Sequence, residues 1–147
     1  MNKIIVFDID GTLADVTHRR QYVATKPKNW AAWNAGMSRD TVHEDIRWML
    51  MKLRRVPGSK TILCSGRGEE TREVTEQWLS DNRIPYEDLY MRSAKDYRQD
   101  YIVKVELLAQ IREEHGEPYM WFDDRQQVVD AIRAEGVRVL QVAPGDF

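Results

Sequence analysis

Ile4, Ile5, Val6 and Phe7 form an unbroken apolar run, and the chain leaves it through Asp8-Ile9-Asp10-Gly11-Thr12. A short run of this kind, bounded by turn residues, reads as a buried strand. The rest of the chain supplies helices to cover it. Residues 42–55 carry Ile46, Met49, Leu50 and Leu53 at helical spacing, and Pro57-Gly58 stops them. Residues 61–64 give a second short strand, and 69–81 a helix with acids in its first turns and Val74, Trp78 and Leu79 on one face. A strand over 88–91, a helix over 100–115, a strand over 119–122, a helix over 126–135 and a strand over 137–142 complete the alternation. Strands separated by helices predict an α/β three-layer sandwich around a five-stranded, mainly parallel sheet with right-handed crossovers. Ligands of that architecture sit at the carboxyl ends of the strands.

One segment, from about residue 16 to about residue 41, stands outside the alternation. It holds Trp30 and Trp33, with Pro27 and Gly36 as punctuation. A connection this long without a sheet role is functional or a lid, and it is read as a small helical cap within a single domain over residues 1–147. Two tryptophans three apart on a short helix read first as the cap's own core. The alternative is stacking on a nucleobase. The formal net charge of −2 advertises no global basic field for nucleic acid. No stretch approaches the ~20 apolar residues of a membrane span, and the chain enters its first strand without a basic-then-apolar leader. A lone cysteine, Cys64, excludes an internal disulfide framework; it reads as a small buried hydrophobe in a reducing compartment, taken as the cytoplasm.

The strand ends carry the chemistry. Asp8 and Asp10 follow the first strand, Ser65-Gly66-Arg67 the second, and Asp123-Asp124 the fourth, while Lys104 lies early in the helix before the fourth strand. Acids gathered in one crevice repel each other unless neutralised, and a hard divalent cation such as Mg²⁺ suits carboxylate oxygens. A strand-end aspartate not wholly consumed by that cation can attack phosphorus. Lys104, Arg67, Ser65 and backbone N–H groups near Gly11 can meet the charge that develops on the phosphoryl oxygens. A second carboxylate two residues on lies on the same side of an extended chain. It can protonate the leaving oxygen and then take a proton from water. Plainer readings stand beside these. Asp8 and Asp10 would cap a turn, Asp123-Asp124 would cap a helix, Ser65 and Arg67 would line a loop, and Lys104 would be a surface lysine.

"FDIDGT", "CSGR", Lys104 and "FDDR", in this order over nearly the whole chain, resemble the four motifs of the haloacid dehalogenase-like phosphohydrolases. Within that superfamily, "MRSAKDYRQDYIVK" and the stretch from "FDDRQQVVDAIRAEG" to the terminal G-D-F resemble the 3′-phosphatase domain of phage polynucleotide kinase-phosphatases. The resemblance implies that Asp8 is the nucleophile and Asp10 the general acid–base, with Ser65, Arg67 and Lys104 holding the phosphate. It implies Mg²⁺ on Asp8, the Asp10 carbonyl and one of Asp123 or Asp124, with Asp100 orienting Lys104 from one helical turn away. It places Gly11, Thr12, Arg19, Gly66, Arg92, Asp96, Arg98, Asp100 and Arg125 on the substrate side. The implied substrates are nucleic-acid 3′ ends or nucleotides, in end repair within the cytoplasm, a host's where the chain is phage-encoded.

Read from the residues alone, Arg92, Asp96 and Arg98 are equally a solvated loop with local ion pairs, and Arg125 equally a solvated helix-start residue. The chain has no G-x-x-x-x-G-K-[ST] loop, so a phosphatase without its own kinase is expected. Two competing readings remain. One is the same chemistry on a mononucleotide or sugar phosphate, motivated by the acidic balance and the modest cap. The other is a phosphoacceptor signalling domain. Against the latter stand the order of the acids along the chain and the second acid at position 10, which favours rapid hydrolysis of an acyl-phosphate.

Overall fold

The structure is a computed structural model that describes residues 2–145; Met1, and Asp146 and Phe147 of the terminal G-D-F, lie outside the described residues. In chain order the elements are β1 (Lys3–Phe7), β2 (Ala14–Asp15), α1 (Trp30–Ala35), β3 (Thr41–Val42), α2 (Glu44–Arg54) and β4 (Ser59–Gly68). There follow α3 (Arg72–Asp81), β5 (Asp88–Arg92), α4 (Asp100–Glu114), β6 (Pro118–Asp123), α5 (Gln126–Ala134) and β7 (Val139–Gln141).

The apolar sequence of β1 follows from its place at the centre. It pairs in parallel with β4 on one side and β6 on the other, and the sheet order is β5-β4-β1-β6-β7. The outer pairings, β4 with β5 and β6 with β7, are parallel too. Alternate residues of a strand face opposite layers. Ile4 and Val6 therefore pack with Ile62, Cys64 and Trp121 against Leu107, Leu108 and Ile111 of α4 and Val128, Val129 and Ile132 of α5. Ile5 and Phe7 pack on the other face with Leu63, with Leu50 of α2 and with Trp78 and Leu79 of α3. At the carboxyl edge the rings of Phe7 and Phe122 stack, centroids 4.5 Å apart and 3° from parallel. Every strand of this sheet delivers its carboxyl end to the same edge. No helix among the described residues is long and apolar enough to cross a membrane.

Between β1 and α2 the chain makes an insertion of short helices. Thr17–Tyr22 and Met37–Arg39 are 3₁₀ turns on either side of α1. At their base β2 and β3 pair antiparallel, Ala14 with Val42 and Asp15 with Thr41. Asn29 caps α1, its side chain accepting from the Ala32 N–H at 3.0 Å. Trp33 packs against the core layer that holds Phe7, as expected of a cap core. Trp30 does not: it is 55% exposed, with the Lys28 ammonium over its ring.

Several boundaries differ from the sequence expectation. The helix expected from residue 42 starts at Glu44, because Val42 pairs with Ala14 and His43 donates its N–H to the Leu13 carbonyl at 2.8 Å. The helix expected from residue 69 starts at Arg72, after a 3₁₀ turn over Glu69–Thr71. The second strand runs through Ser65-Gly66-Arg67 instead of ending before them. Ser65 pairs with Met91 and Gly68 with Arg92, with a bulge between, so these residues are strand edge and not loop.

Leu63 is fully buried and Trp30 is not. Leu63→Ala should cost about 2–5 kcal/mol in denaturant unfolding, and Trp30→Ala less than about 0.5 kcal/mol. Equal costs would contradict the placement of the two side chains.

Candidate active site

The β1–β6 ladder runs one residue past β1: the Asp8 N–H donates to the Phe122 carbonyl at 2.9 Å. This fixes the Asp8 backbone in the sheet and sets its carboxylate at the carboxyl edge. The chain then turns sharply. Thr12, Leu13 and Ala14 all donate their N–H groups to the Ile9 carbonyl, at 3.1, 2.9 and 2.9 Å, and Gly11 has φ +84°. The two acids of the D-x-D pair meet different partners.

Asp8 faces Lys104. The ammonium, in the second turn of α4 and 1% exposed, donates to Asp8 Oδ1 at 2.7 Å and to Asp123 Oδ2 at 2.8 Å. The Thr12 hydroxyl donates to Asp8 Oδ2 at 3.1 Å. Asp123 is saturated: Trp121 Nε1 donates to Oδ2 at 3.1 Å, and the N–H groups of Asp124 and Arg125 reach Oδ1 at 2.9 and 3.4 Å. Asp124 is not. Its Oδ2 is buried with no hydrogen-bond partner. A Cβ on Gly11 would lie 2.1 Å from that same oxygen, so glycine is needed there for both its φ and its close approach.

Oxygens of Asp8, Asp123 and Asp124 lie within 4.8 Å of one another. One ammonium for three buried carboxylates leaves the cluster negative, and the orphaned Asp124 Oδ2 lacks a positive partner. A hard divalent cation of the Mg²⁺ kind fits both facts. Asp8 and Asp124 would hold it. Asp123, fully engaged by donors, would fix Lys104 and the turn.

The electrostatics carry the same signature. Burial, then Asp123, push the Asp8 carboxyl well above its ordinary pKa, with Lys104 opposing. Burial and Asp123 push Asp124 up to about 6. On Lys104 burial acts downward, but Asp123, Asp8 and Asp100 outweigh it and hold the ammonium charged. Burial likewise pushes the neighbouring Cys64 thiol up, away from reactivity.

Asp10 faces a second cluster. Arg67 donates to its Oδ1 through Nε at 3.0 Å and Nη2 at 2.6 Å, and Arg19 through Nη2 at 2.9 Å. Burial alone would raise the Asp10 pKa; Arg67, then Arg19, outweigh it and hold the carboxyl below its ordinary value. Both arginines also reach Asp40, which no motif had marked. Arg19 forms a bidentate pair with it, Nε to Oδ1 at 2.8 Å and Nη2 to Oδ2 at 2.6 Å, and Arg67 Nη2 reaches Oδ2 at 3.2 Å. Arg67 Nη1 also donates to Thr75 Oγ1 at 3.0 Å. Arg19 is fully buried and Arg67 4% exposed. The structure therefore sets Arg19 against acids of its own chain, where the resemblance had put it toward substrate. Arg67 likewise grips Asp10. Ser65, 1% exposed, accepts the Arg67 N–H on its Oγ at 3.1 Å.

The remaining expected residues form a loop beside this edge. Arg92 donates to the carbonyls of Gly66 at 2.9 Å and Asp96 at 3.0 Å, and to that of Arg98. Asp100 lies 3.5 Å from Arg92 and 3.8 Å from Arg125, so its expected hold on Lys104 acts through charge and not through contact. A Cβ on Gly66 would meet Asp100 Oδ1 at 2.0 Å, which ties the loop to β4. Arg98 is paired with Asp96 and Glu106, at 2.8 and 2.7 Å, on the surface. For Arg92, Asp96 and Arg98 the structure thus shows local pairing.

A parallel sheet with an aspartate, a buried lysine and an acid pair at one edge defines a phosphatase of the haloacid dehalogenase-like class. Solved structures agree on the fold: an enzyme of that class from Bacteroides thetaiotaomicron, complexed with magnesium and inorganic phosphate, is 13% identical with a TM-score of 0.59, over 100% of this chain and 97% of that one. L-2-haloacid dehalogenase from Xanthobacter autotrophicus is 15% identical with a TM-score of 0.63, over 97% and 78%. The family described as the polynucleotide kinase PNKP phosphatase domain matches residues 2–147, and the chain belongs to that family. A chain of a Pnkp1/Rnl/Hen1 RNA repair complex is 34% identical with a TM-score of 0.83, over 100% of this chain and 44% of that one. A second such complex gives 34% and 0.80, over 100% and 48%, so this chain spans less than half the length of those it matches there.

A cation must displace the protons that burial favours on Asp124, pushed up to about 6, and on Asp8, pushed well above its ordinary value. Mg²⁺ affinity should therefore rise with pH, about tenfold per pH unit for each proton displaced, and the Asp124 part of that rise should lie near pH 6. Calorimetry in two buffers reads both affinity and proton release. An affinity unchanged between about pH 5 and 7 would remove Asp124 from the ligands.

Proposed function

We propose that the chain is a Mg²⁺-dependent phosphomonoesterase that removes 3′-phosphate from polynucleotide ends through an aspartyl-phosphate on Asp8. The observation that carries the chemistry is the division between the two aspartates: Asp8 beside Lys104 and an incompletely satisfied acid, Asp10 beside two arginines. An Asp8 oxygen attacks phosphorus and the phosphorus–ester oxygen bond breaks. Asp10 gives its proton to the departing oxygen, which leaves as an alcohol. Asp10, now ionised, takes a proton from water as that water attacks phosphorus; the bond to Asp8 breaks and inorganic phosphate departs.

The structure holds Asp10 in its ionised form, the one the second step needs. The approach of an anionic phosphoryl group raises the carboxyl toward the protonated form that the first step needs. Lys104 meets the charge on the phosphoryl oxygens. When bound, Mg²⁺ would neutralise the acid cluster and draw charge from the phosphoryl group.

Family membership supports the polynucleotide substrate. One observation favours a second reading, a mononucleotide or sugar phosphate. Arg92 and Arg98, the loop arginines suited to clamping a nucleic-acid backbone, have donors committed to their own loop and to α4.

Asp8→Asn should lower turnover by at least about 10⁴-fold with an unchanged circular dichroism spectrum. In single-turnover assays a 3′-phosphorylated oligonucleotide should exceed both its 5′-phosphorylated isomer and a 3′-mononucleotide by about tenfold or more in kcat/KM. Equal rates on the two oligonucleotides would overturn the 3′ assignment. A faster mononucleotide would favour the second reading.

A further inference from the structure

We propose that Asp40 is a positioning residue for the acid–base Asp10, and that the insertion between β1 and α2 acts as the scaffold of that acid. The proposal rests on the reading of Asp10 given above.

Three arginine donors, from Arg19 Nη2, Arg67 Nε and Arg67 Nη2, converge on Asp10 Oδ1, at 2.9, 3.0 and 2.6 Å. Asp10 Oδ2 accepts from none of them, and the side chain keeps 22% of its surface exposed. One oxygen is thus fixed and the other is left for the reacting proton. Two guanidinium groups this close would repel each other. Asp40, with a side chain that is 0% exposed, lies against both and takes up the remaining faces of the fork. A bidentate pair fixes the plane of a guanidinium as well as its position. Asp40 therefore sets the direction from which the Arg19 N–H reaches Asp10.

Asp40 is itself held from several sides. Trp78 Nε1 of α3 donates to its carbonyl at 2.8 Å. His18 Nε2 meets its Oδ1 at 2.6 Å at the solvent side of the cluster. The Arg19 guanidinium lies 4.1 Å from the centre of the Trp33 ring and donates to the Trp33 carbonyl at 3.4 Å. All three short helices of the insertion, or the residues next to them, thus close around one guanidinium whose Nη2 bridges Asp40 and Asp10. Their seating and the orientation of the acid form one unit.

The test uses two esters: a 3′-phosphorylated oligonucleotide, whose alkoxide leaves poorly, and p-nitrophenyl phosphate, whose phenolate leaves without proton help. Asp40→Asn should lower kcat on the oligonucleotide at least tenfold, with KM within twofold, and change kcat on the aryl ester less than threefold. Added to Asp10→Asn it should cause no further loss on the oligonucleotide, because the group it positions is gone. A loss of the same size on both esters, or a full additional loss in the Asp10→Asn background, would overturn the proposal. Should Asp40→Asn not fold, His18→Ala, at the edge of the cluster, carries the test. A two- to threefold loss on the oligonucleotide alone supports the proposal, and unaltered rates on both esters overturn it. The two readings fail separately. If Asp10→Asn slows both esters alike, the acid–base assignment falls and takes the proposal with it. If Asp10→Asn is selective and Asp40→Asn is not, only the proposal falls.

Discussion

The ammonium of Lys104 is the contact on which the site depends. It bridges the end of β1 to the end of β6 through Asp8 and Asp123. Without it the three carboxylates would face one another at the sheet edge with no ammonium between Asp8 and Asp123. Burying a charge is tolerated only where partners surround it, and Lys104 has two within 2.8 Å. The same geometry leaves Asp124 short of a partner. The fold thus spends its own cation on holding Asp8 and leaves an oxygen of the next acid without a positive partner.

The acids of the D-x-D pair illustrate how far neighbours decide chemistry. Asp8 and Asp10 are two residues apart on one short turn, yet their surroundings push them in opposite directions. Asp8 is crowded by other acids and is pushed up, and Asp10 is crowded by arginines and is pulled down. Identical side chains acquire different roles from what the sheet and the insertion place beside them.

The parallel sheet was legible because its strands are short apolar runs separated by amphipathic helices of ordinary length, and Ile4–Phe7 sits at the centre as such a run should. Asp8, Lys104, Asp123 and Asp124 were legible because strand ends in this architecture converge on one edge. What the sequence could not show was the second cluster. Asp40 lies 21 residues from Arg19 and 27 from Arg67, and Arg67 lies 57 from Asp10. No periodicity links such positions; only tertiary folding brings them together. The different partners of the two acids were hidden for the same reason: Lys104 of α4 reaches Asp8, while Arg67 of β4 and Arg19 of the insertion reach Asp10. The two tryptophans of the insertion differ in place: Trp33 packs against the core, while Trp30, the first residue of α1, stays at its exposed end.

Asp124 sits in a slot whose walls come from opposite ends of the chain. A methyl group on Gly11 would strike its carboxylate, and one on Gly145 would strike its carbonyl oxygen at 2.1 Å. The Gln126 N–H draws the Gly145 carbonyl in at 2.6 Å. The acid pair and the segment that packs on it both follow α4 in the chain. Asp8 and Lys104 therefore meet their full set of neighbours only when α4, β6 and the Gly145 segment are docked together.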